Sequence, residues 1–276
     1  MLDRAQIRRS ALPCLMEAPK LAQQGDQQLV QRLALRVVSE LTRNNCTPNT
    51  APNAEFRALL VQLAYRGDAD TATQVFDYMK RRRMCAEAVV DIYLPAAVHE
   101  IGTAWHDGEM NILDATLAIS RLQVLLRDIS SNWSSDKTSR QSNDRVLLLL
   151  PPGEQHSMGA MVAASQIRRA GVSVKVGLLP DIKAIAPLLE TSRFQSVFIS
   201  ASNKSVITEC SQMISAIRAS AHPAVPIVLG GGLAVANHTQ AAHETLRKQT
   251  RADHVTADVK TALQICGLAN AAVAAG

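Results

Sequence analysis

Aromatic residues are scarce in this chain. Phe, Trp and Tyr make up 3% of its 276 residues, although 47% of them are hydrophobic. Ala, Leu and Val must therefore carry the packing, which favours helices and parallel sheets over an all-β sandwich. No apolar run approaches the roughly 20 residues that a membrane-spanning helix needs. The opening stretch, MLDRAQIRRSALPCLMEAPK, lacks an apolar segment of signal-peptide length. A cytoplasmic protein without a membrane partner is expected. Cysteine usage excludes two further classes. Cys14, Cys46, Cys85, Cys210 and Cys266 are scattered with no CxxC pair, which fits neither a zinc site nor a disulfide framework and suits a reducing compartment. No helix-turn-helix or winged-helix signature is visible. The net charge of +5 permits contact with nucleic acid or an acidic partner without requiring it. The densest basic run, KRRR at 80–83, reads as the solvated end of a helix.

What is present divides the chain into parts. Residues 1–50 form a variable N-terminal segment with helical spacing in Leu29, Leu33, Val37 and Leu41, followed by a loop, NNCTPNTAPN. Residues 51–130 read as four antiparallel helices, a bundle. AEFRALLVQLAYRG ends on a glycine suited to a C-terminal cap, and DADTATQVFDYMKRRR opens on acids and closes on bases, matching the helix dipole. Residues 131–144 are Ser-rich and polar, a linker. From 145 to 276 short apolar strands alternate with helices: RVLLLL, VSVKVGLL, SVFISA, PIVLGG and HVTAD. That pattern specifies a parallel sheet covered on both faces. With five strands, the flavodoxin-like, Rossmann-type order 2-1-3-4-5 is expected, placing ligand sites beyond the carboxyl ends of the strands.

Three loops fall at those ends. Glu154, His156, Ser157 and Gly159 follow the first strand, Ser200 and Ser202 the third, and Gly230, Gly231 and Gly232 the fourth. Together they put a metal-ligating imidazole, hydroxyls and an unobstructed glycine backbone on one rim. Each has a plainer reading: a loop histidine, serines capping a helix, glycines making a turn.

In combination these residues resemble the signature of the cobalamin-binding domain family, D-x-H-x-x-G, then a Ser loop, then a Gly-Gly loop, with Glu154 in place of the Asp. The resemblance implies that His156 ligates cobalt from below and that the displaced nucleotide tail of the cofactor threads between the Ser and Gly-Gly loops. A neutral imidazole is a suitable cobalt ligand, and the carboxylate two residues earlier would fix its tautomer. The preceding helices, around YLPAAVHEIGTAWHDGEMNILDATLAISRLQVLL, are similar to the helical cap of methionine synthase-type proteins and light-responsive cobalamin regulators. The regulators' pattern W-x9-E-H matches at Trp105, a cover for the upper corrin face, while Ala115 and Thr116 stand at the E-H positions. His106 matches a histidine that takes cobalt after photolysis, and Ile112 would add an apolar wall. A cap plus a cobalamin domain, without a DNA-binding head or catalytic barrel, is most similar to the photosynthesis-gene antirepressors of purple bacteria (AerR/PpaA type). The resemblance thus implies a non-enzymatic, light- or redox-responsive transcriptional regulator. It would bind hydroxo-, aquo- or adenosylcobalamin and act on a DNA-binding transcriptional repressor protein, with direct DNA contact the weaker output. The alternative on the same fold is a corrinoid methyl carrier serving a separate methyltransferase.

Overall fold

The computed structural model describes residues 53–135, 145–178, 181–191, 194–219 and 225–268. The expectations for residues 1–50 lie outside them. Helix α1 (Ala54–Arg66) begins where the Asn53 side chain accepts the Glu55 and Phe56 amides and ends at Gly67 in a left-handed conformation. Helix α2 (Ala69–Arg81) is capped by Asp68, which accepts the Thr71 amide. Burial opposes the charge on this carboxylate less than the hydrogen bonds from Thr71 favour it, so its pKa lies below the usual value.

The third helix of the bundle is not a uniform α-helix. A short α3 (Ala86–Ala88) passes through a π-helical segment, Val89–Tyr93, into α4 (Leu94–His106). The Leu94 amide reaches back five residues to the Val89 carbonyl. Pro95 follows and has no amide hydrogen to donate, so the ladder is already broken here and a shifted register costs little more. The last helix, α5 (Ile112–Ser135), follows α4 after a short connection and packs against it. The bundle core centres on Phe56, which stacks on Tyr78 with ring centroids 5.2 Å apart and meets the edge of Tyr93 at 5.0 Å. Leu60, Leu94, Ile101 and Leu122 close around it, fully buried. Cys85 is disulfide-bonded, a departure from the unpaired thiols the sequence suggested, whereas Cys210 and Cys266 are free.

The second unit is a five-stranded sheet in the order β2-β1-β3-β4-β5, every pairing parallel. The strands are β1 (Arg145–Leu150), β2 (Ser173–Leu178), β3 (Ser196–Ser200), β4 (Ile227–Gly230) and β5 (His254–Val255). This is the doubly wound order read from the alternation of strands and helices. Two-residue periodicity sends Leu147, Leu149, Val197 and Ile199 to one face, under α7 (Ile185–Thr191), α8 (Ile207–Arg218) and α10 (Gln240–Thr250). Val146, Leu148, Phe198 and Val228 go to the other, under α6 (Ser157–Arg169) and α11 (Val259–Ile265). A short α9 (Gly232–Ala236) follows β4 directly.

Helix α6 joins the two units. Its Met158 and Val162 are buried with the bundle core rather than with the sheet. At its start the Gln123 side-chain amide donates to Ser157 Oγ at 2.9 Å. At its end Arg169 Nη2 donates to both carboxylate oxygens of Asp91, at 2.5 and 2.7 Å, while its guanidinium lies 4.7 Å from the centroid of Trp133. One arginine thus ties α6 to the π-helical segment and to α5.

Candidate functional site

The loop after β1 aims His156. Gly153 turns the chain at φ +81°, and Glu154 folds its side chain back so that only 1% of it is exposed. One carboxylate oxygen accepts the His156 backbone amide at 2.7 Å and contacts His156 Nδ1 at 2.8 Å. The other accepts the Ser202 amide at 2.7 Å. Burial alone would raise the pKa of Glu154, but the His156 amide and the Ser202 contacts outweigh it, and the pKa falls below the usual value. An ionised carboxylate only accepts hydrogen bonds, so Nδ1 must carry the proton. In the neutral imidazole Nε2 then holds the lone pair. The His156 side chain is 65% exposed, so its ligating nitrogen is available. Glu154 also bridges two loops: the contact that fixes the His156 tautomer holds the β3 loop in place.

The glycines after β4 serve that same junction. Gly231 has φ +88°, and a Cβ there would sit 2.5 Å from the Ala201 carbonyl oxygen. A Cβ on Gly232 would meet the Ser202 carbonyl oxygen at 2.8 Å. These two positions are glycine because the β3 and β4 loops touch backbone to backbone, an origin the sequence did not reveal. Gly159 is different: nothing lies within 4 Å of the place its Cβ would occupy.

Above this rim lies a cavity of about 1290 Å³ between the helical cap and the sheet domain. His156, Gly159, Ser200, Ser202 and Gly230 to Gly232 line it from below, and Trp105, His106 and Ile112 line it from the cap. Trp105 is 46% exposed and Ile112 59% exposed, so neither belongs to the bundle core. Large apolar side chains facing a cavity at that exposure are characteristic of a surface that covers a ligand. Ala115 and Thr116 lie beside them, the Thr116 hydroxyl spent on the Ile112 carbonyl at 2.7 Å. Glu154 stands behind His156 rather than on the wall. Ser157 is also off the wall, its hydroxyl accepting from Gln123.

Several wall residues went unread in the sequence. His99 lines the cavity seven residues before His106, on the same face of α4, and that spacing was a usable signal. Thr256 and Asp258 line it from the loop after β5, a strand of two residues whose short pattern hid its carboxyl end. The cavity also reaches the sheet and the helices that flank it. Leu148, Phe198 and Val228 of the sheet line it there, with Ala163 and Gln166 of α6 and Val259 and Ala262 of α11.

The donor set fits a bulky ligand centred on a metal that takes nitrogen. One imidazole nitrogen is presented at a cavity mouth with a buried carboxylate behind it, and a glycine beside it leaves room. Among the described residues no cluster of three or more His, Cys, Asp and Glu side chains could hold a bare metal ion. No described helix is long and apolar enough to cross a membrane.

Fold and site together define a doubly wound α/β domain with a large cavity under a helical cap. The chain is 30% identical over 185 residues to the 20.5 kDa protein encoded in the bchF-crtJ intergenic region of Rhodobacter capsulatus, an alignment that spans 67% of this chain and 93% of that one. The chain belongs to the family of that protein. No family model matches it. Among solved structures it is similar to a cobalamin-binding protein from Desulfitobacterium hafniense, at 15% identity and a TM-score of 0.39, covering 76% of this chain and 97% of that one. It is similar also to the methanol:cobalamin methyltransferase complex MtaBC from Methanosarcina barkeri, at 12% identity and a TM-score of 0.39, covering 84% and 86%. At that level of superposition the fold assignment rests on the chain's own strand order.

Proposed function

We propose that this chain is a cobalamin-binding, light- or redox-responsive regulator that acts on a DNA-binding transcriptional repressor. The observation that carries the reading is the Glu154–His156 pair, a buried ionised carboxylate on Nδ1 that leaves Nε2 free at the mouth of a large cavity. His156 would hold the cobalt through Nε2, the cavity wall between α6 and α11 would accommodate the nucleotide tail, and Trp105 and Ile112 would line the side facing the cap. His106 would offer a further nitrogen from the cap side of the cavity. When bound, the cofactor contributes a cobalt centre whose upper ligand can be exchanged or lost in light. The protein holds that centre, excludes water with the cap, and reports the state of the upper face through the seating of the cap on the sheet domain. Arg169, bonded to Asp91 and stacked near Trp133, is the contact that such a movement would strain. The bchF-crtJ locus of the Rhodobacter capsulatus relative supports the photosynthesis-gene setting.

The test has two arms. Purified protein is titrated with hydroxo- and adenosylcobalamin in darkness and after illumination, beside His156→Ala. The loaded protein is then added to the repressor on its promoter DNA. Shifted absorption bands that His156→Ala loses, with repressor release that depends on illumination or on the loaded form, are expected. Tight cofactor binding without any effect on the repressor, together with methyl exchange with a methyltransferase, would favour the methyl-carrier reading.

A further inference from the structure

His156 stands at the start of α6 without the support that a helix start normally has. Asp68, Thr239 and Asp258 each accept an amide from the first turn of the helix they begin, whereas the His156 side chain makes no such bond. Its backbone, at φ −90° and ψ 79°, is neither helical nor fully extended. Two groups instead hold the chain on either side of its Cα. On the amide side, Glu154 accepts the His156 N–H at 2.7 Å. On the carbonyl side the next residue, Ser157, receives the Gln123 side-chain amide on its Oγ at 2.9 Å. Gln123 and Ser157 are both half-buried, so water competes little for that bond. Glu154 belongs to the sheet domain and Gln123 to α5 of the cap. The imidazole is therefore aimed by both units.

We infer that Gln123 is a positioning residue for His156: by holding Ser157 it fixes where the ligating nitrogen stands in the cavity. The inference rests on the cobalamin reading of the site. Ser157 follows His156 directly, and consecutive Cα atoms are locked about 3.8 Å apart, so a displacement of one is carried to the other. Helices packed at an interface shift by about 1–2 Å, whereas a metal–ligand distance is held to within about 0.2 Å. Glu154 sets the tautomer of the ring, but its bonds reach the histidine from the N-terminal side alone. The grip on Ser157 supplies the second point that fixes the start of α6. A leucine at position 123 would fill similar space without that grip.

The experiment is a pair of double-mutant cycles read as hydroxocobalamin affinity by equilibrium dialysis, with circular dichroism to confirm that every variant is folded. Gln123→Leu and Ser157→Ala are each expected to weaken binding about three- to tenfold, the worth of one hydrogen bond. The double variant is expected to bind no more weakly than either single one. In the His156→Ala protein, whose residual affinity comes from the cavity walls, Gln123→Leu should bring no further loss. Gln123→Glu can accept from the Ser157 hydroxyl and should recover most of the affinity lost in Gln123→Leu. An equal loss from Gln123→Leu with and without His156, or losses that add with Ser157→Ala, would overturn the positioning role and make Gln123 an ordinary wall contact. Unchanged affinity in Gln123→Leu would overturn it too, with the site assignment intact. Failure of wild type to retain hydroxocobalamin would overturn the cobalamin reading itself, and this inference with it.

Discussion

Replacing Glu154 by Gln changes one charge and almost no volume, and its consequence can be worked out atom by atom. The carboxylate accepts three hydrogen bonds: from the His156 amide at 2.7 Å, from His156 Nδ1 at 2.8 Å and from the Ser202 amide at 2.7 Å. A glutamine offers one accepting oxygen and one donating nitrogen. If the oxygen faces His156, the nitrogen faces the Ser202 amide, donor against donor, in a side chain buried from solvent. If the oxygen faces Ser202, the nitrogen confronts the His156 amide and compels Nδ1 to accept. The ring proton then moves to Nε2 and the ligating lone pair is lost. The first arrangement costs the difference between a charged and a neutral hydrogen bond plus one stranded donor, about 2–3 kcal/mol. The second arrangement abolishes ligation outright. Affinity for hydroxocobalamin should fall about 10- to 100-fold, measured by titration in the visible spectrum, and urea unfolding should show the stability loss. Glu154→Asp, which keeps the charge on a shorter arm, should retain more affinity than Glu154→Gln. Unchanged affinity and unchanged stability in Glu154→Gln would refute the assignment of Glu154 as the group that sets the His156 tautomer.

Other substitutions separate folding from binding. Gly231→Ala places a Cβ 2.5 Å from a backbone oxygen at positive φ and should destabilise the sheet domain by about 1–3 kcal/mol in denaturant melts. Gly159→Ala meets nothing within 4 Å, so its melt should match wild type while corrinoid affinity drops, because the methyl group enters the space beside His156. Arg169→Ala leaves the Asp91 carboxylate without its partner and removes the contact to Trp133. It should cost about 1–3 kcal/mol and broaden the small-angle scattering profile as the cap loosens. For Asp258, burial opposes ionisation but the hydrogen bonds from Thr261 prevail and hold its pKa below the usual value. The cap it provides for α11 is present above the unfolded carboxylate range and is lost as pH falls through the lower folded pKa. Amide exchange at the start of α11 should therefore accelerate only under strongly acidic conditions.

The strand order was legible because β1, β3 and β4 are short, largely apolar runs bounded by Pro, Ser or Gly, and the parallel crossover rules leave few arrangements for five alternating strands. The His156 loop was legible for the same reason: it lies at the carboxyl end of β1, and its spacing to the Ser and Gly loops fixes the rim. Contacts across the fold were not legible. Nothing local to Gly231 says that the obstacle to a side chain is the Ala201 carbonyl, thirty residues earlier. The π-helical segment around Asp91 was also hidden, since Pro95 marks a disturbed helix without saying where the register shifts. Ser157 read as a rim residue but is spent on Gln123, a partner supplied only when the cap packs on α6. His99 escaped because a single histidine on a helix carries little weight until the cavity beside it is seen.

The most direct test of the central claim is the absorption spectrum of the purified chain with hydroxocobalamin, recorded for wild type and for His156→Ala at equal concentration. The account predicts retained cofactor with bands moved by imidazole ligation in wild type, and loss of both the shift and most of the affinity in the variant. Retention with identical bands in the two proteins would show that His156 is not the ligand. No retention by wild type would remove cobalamin from the account altogether.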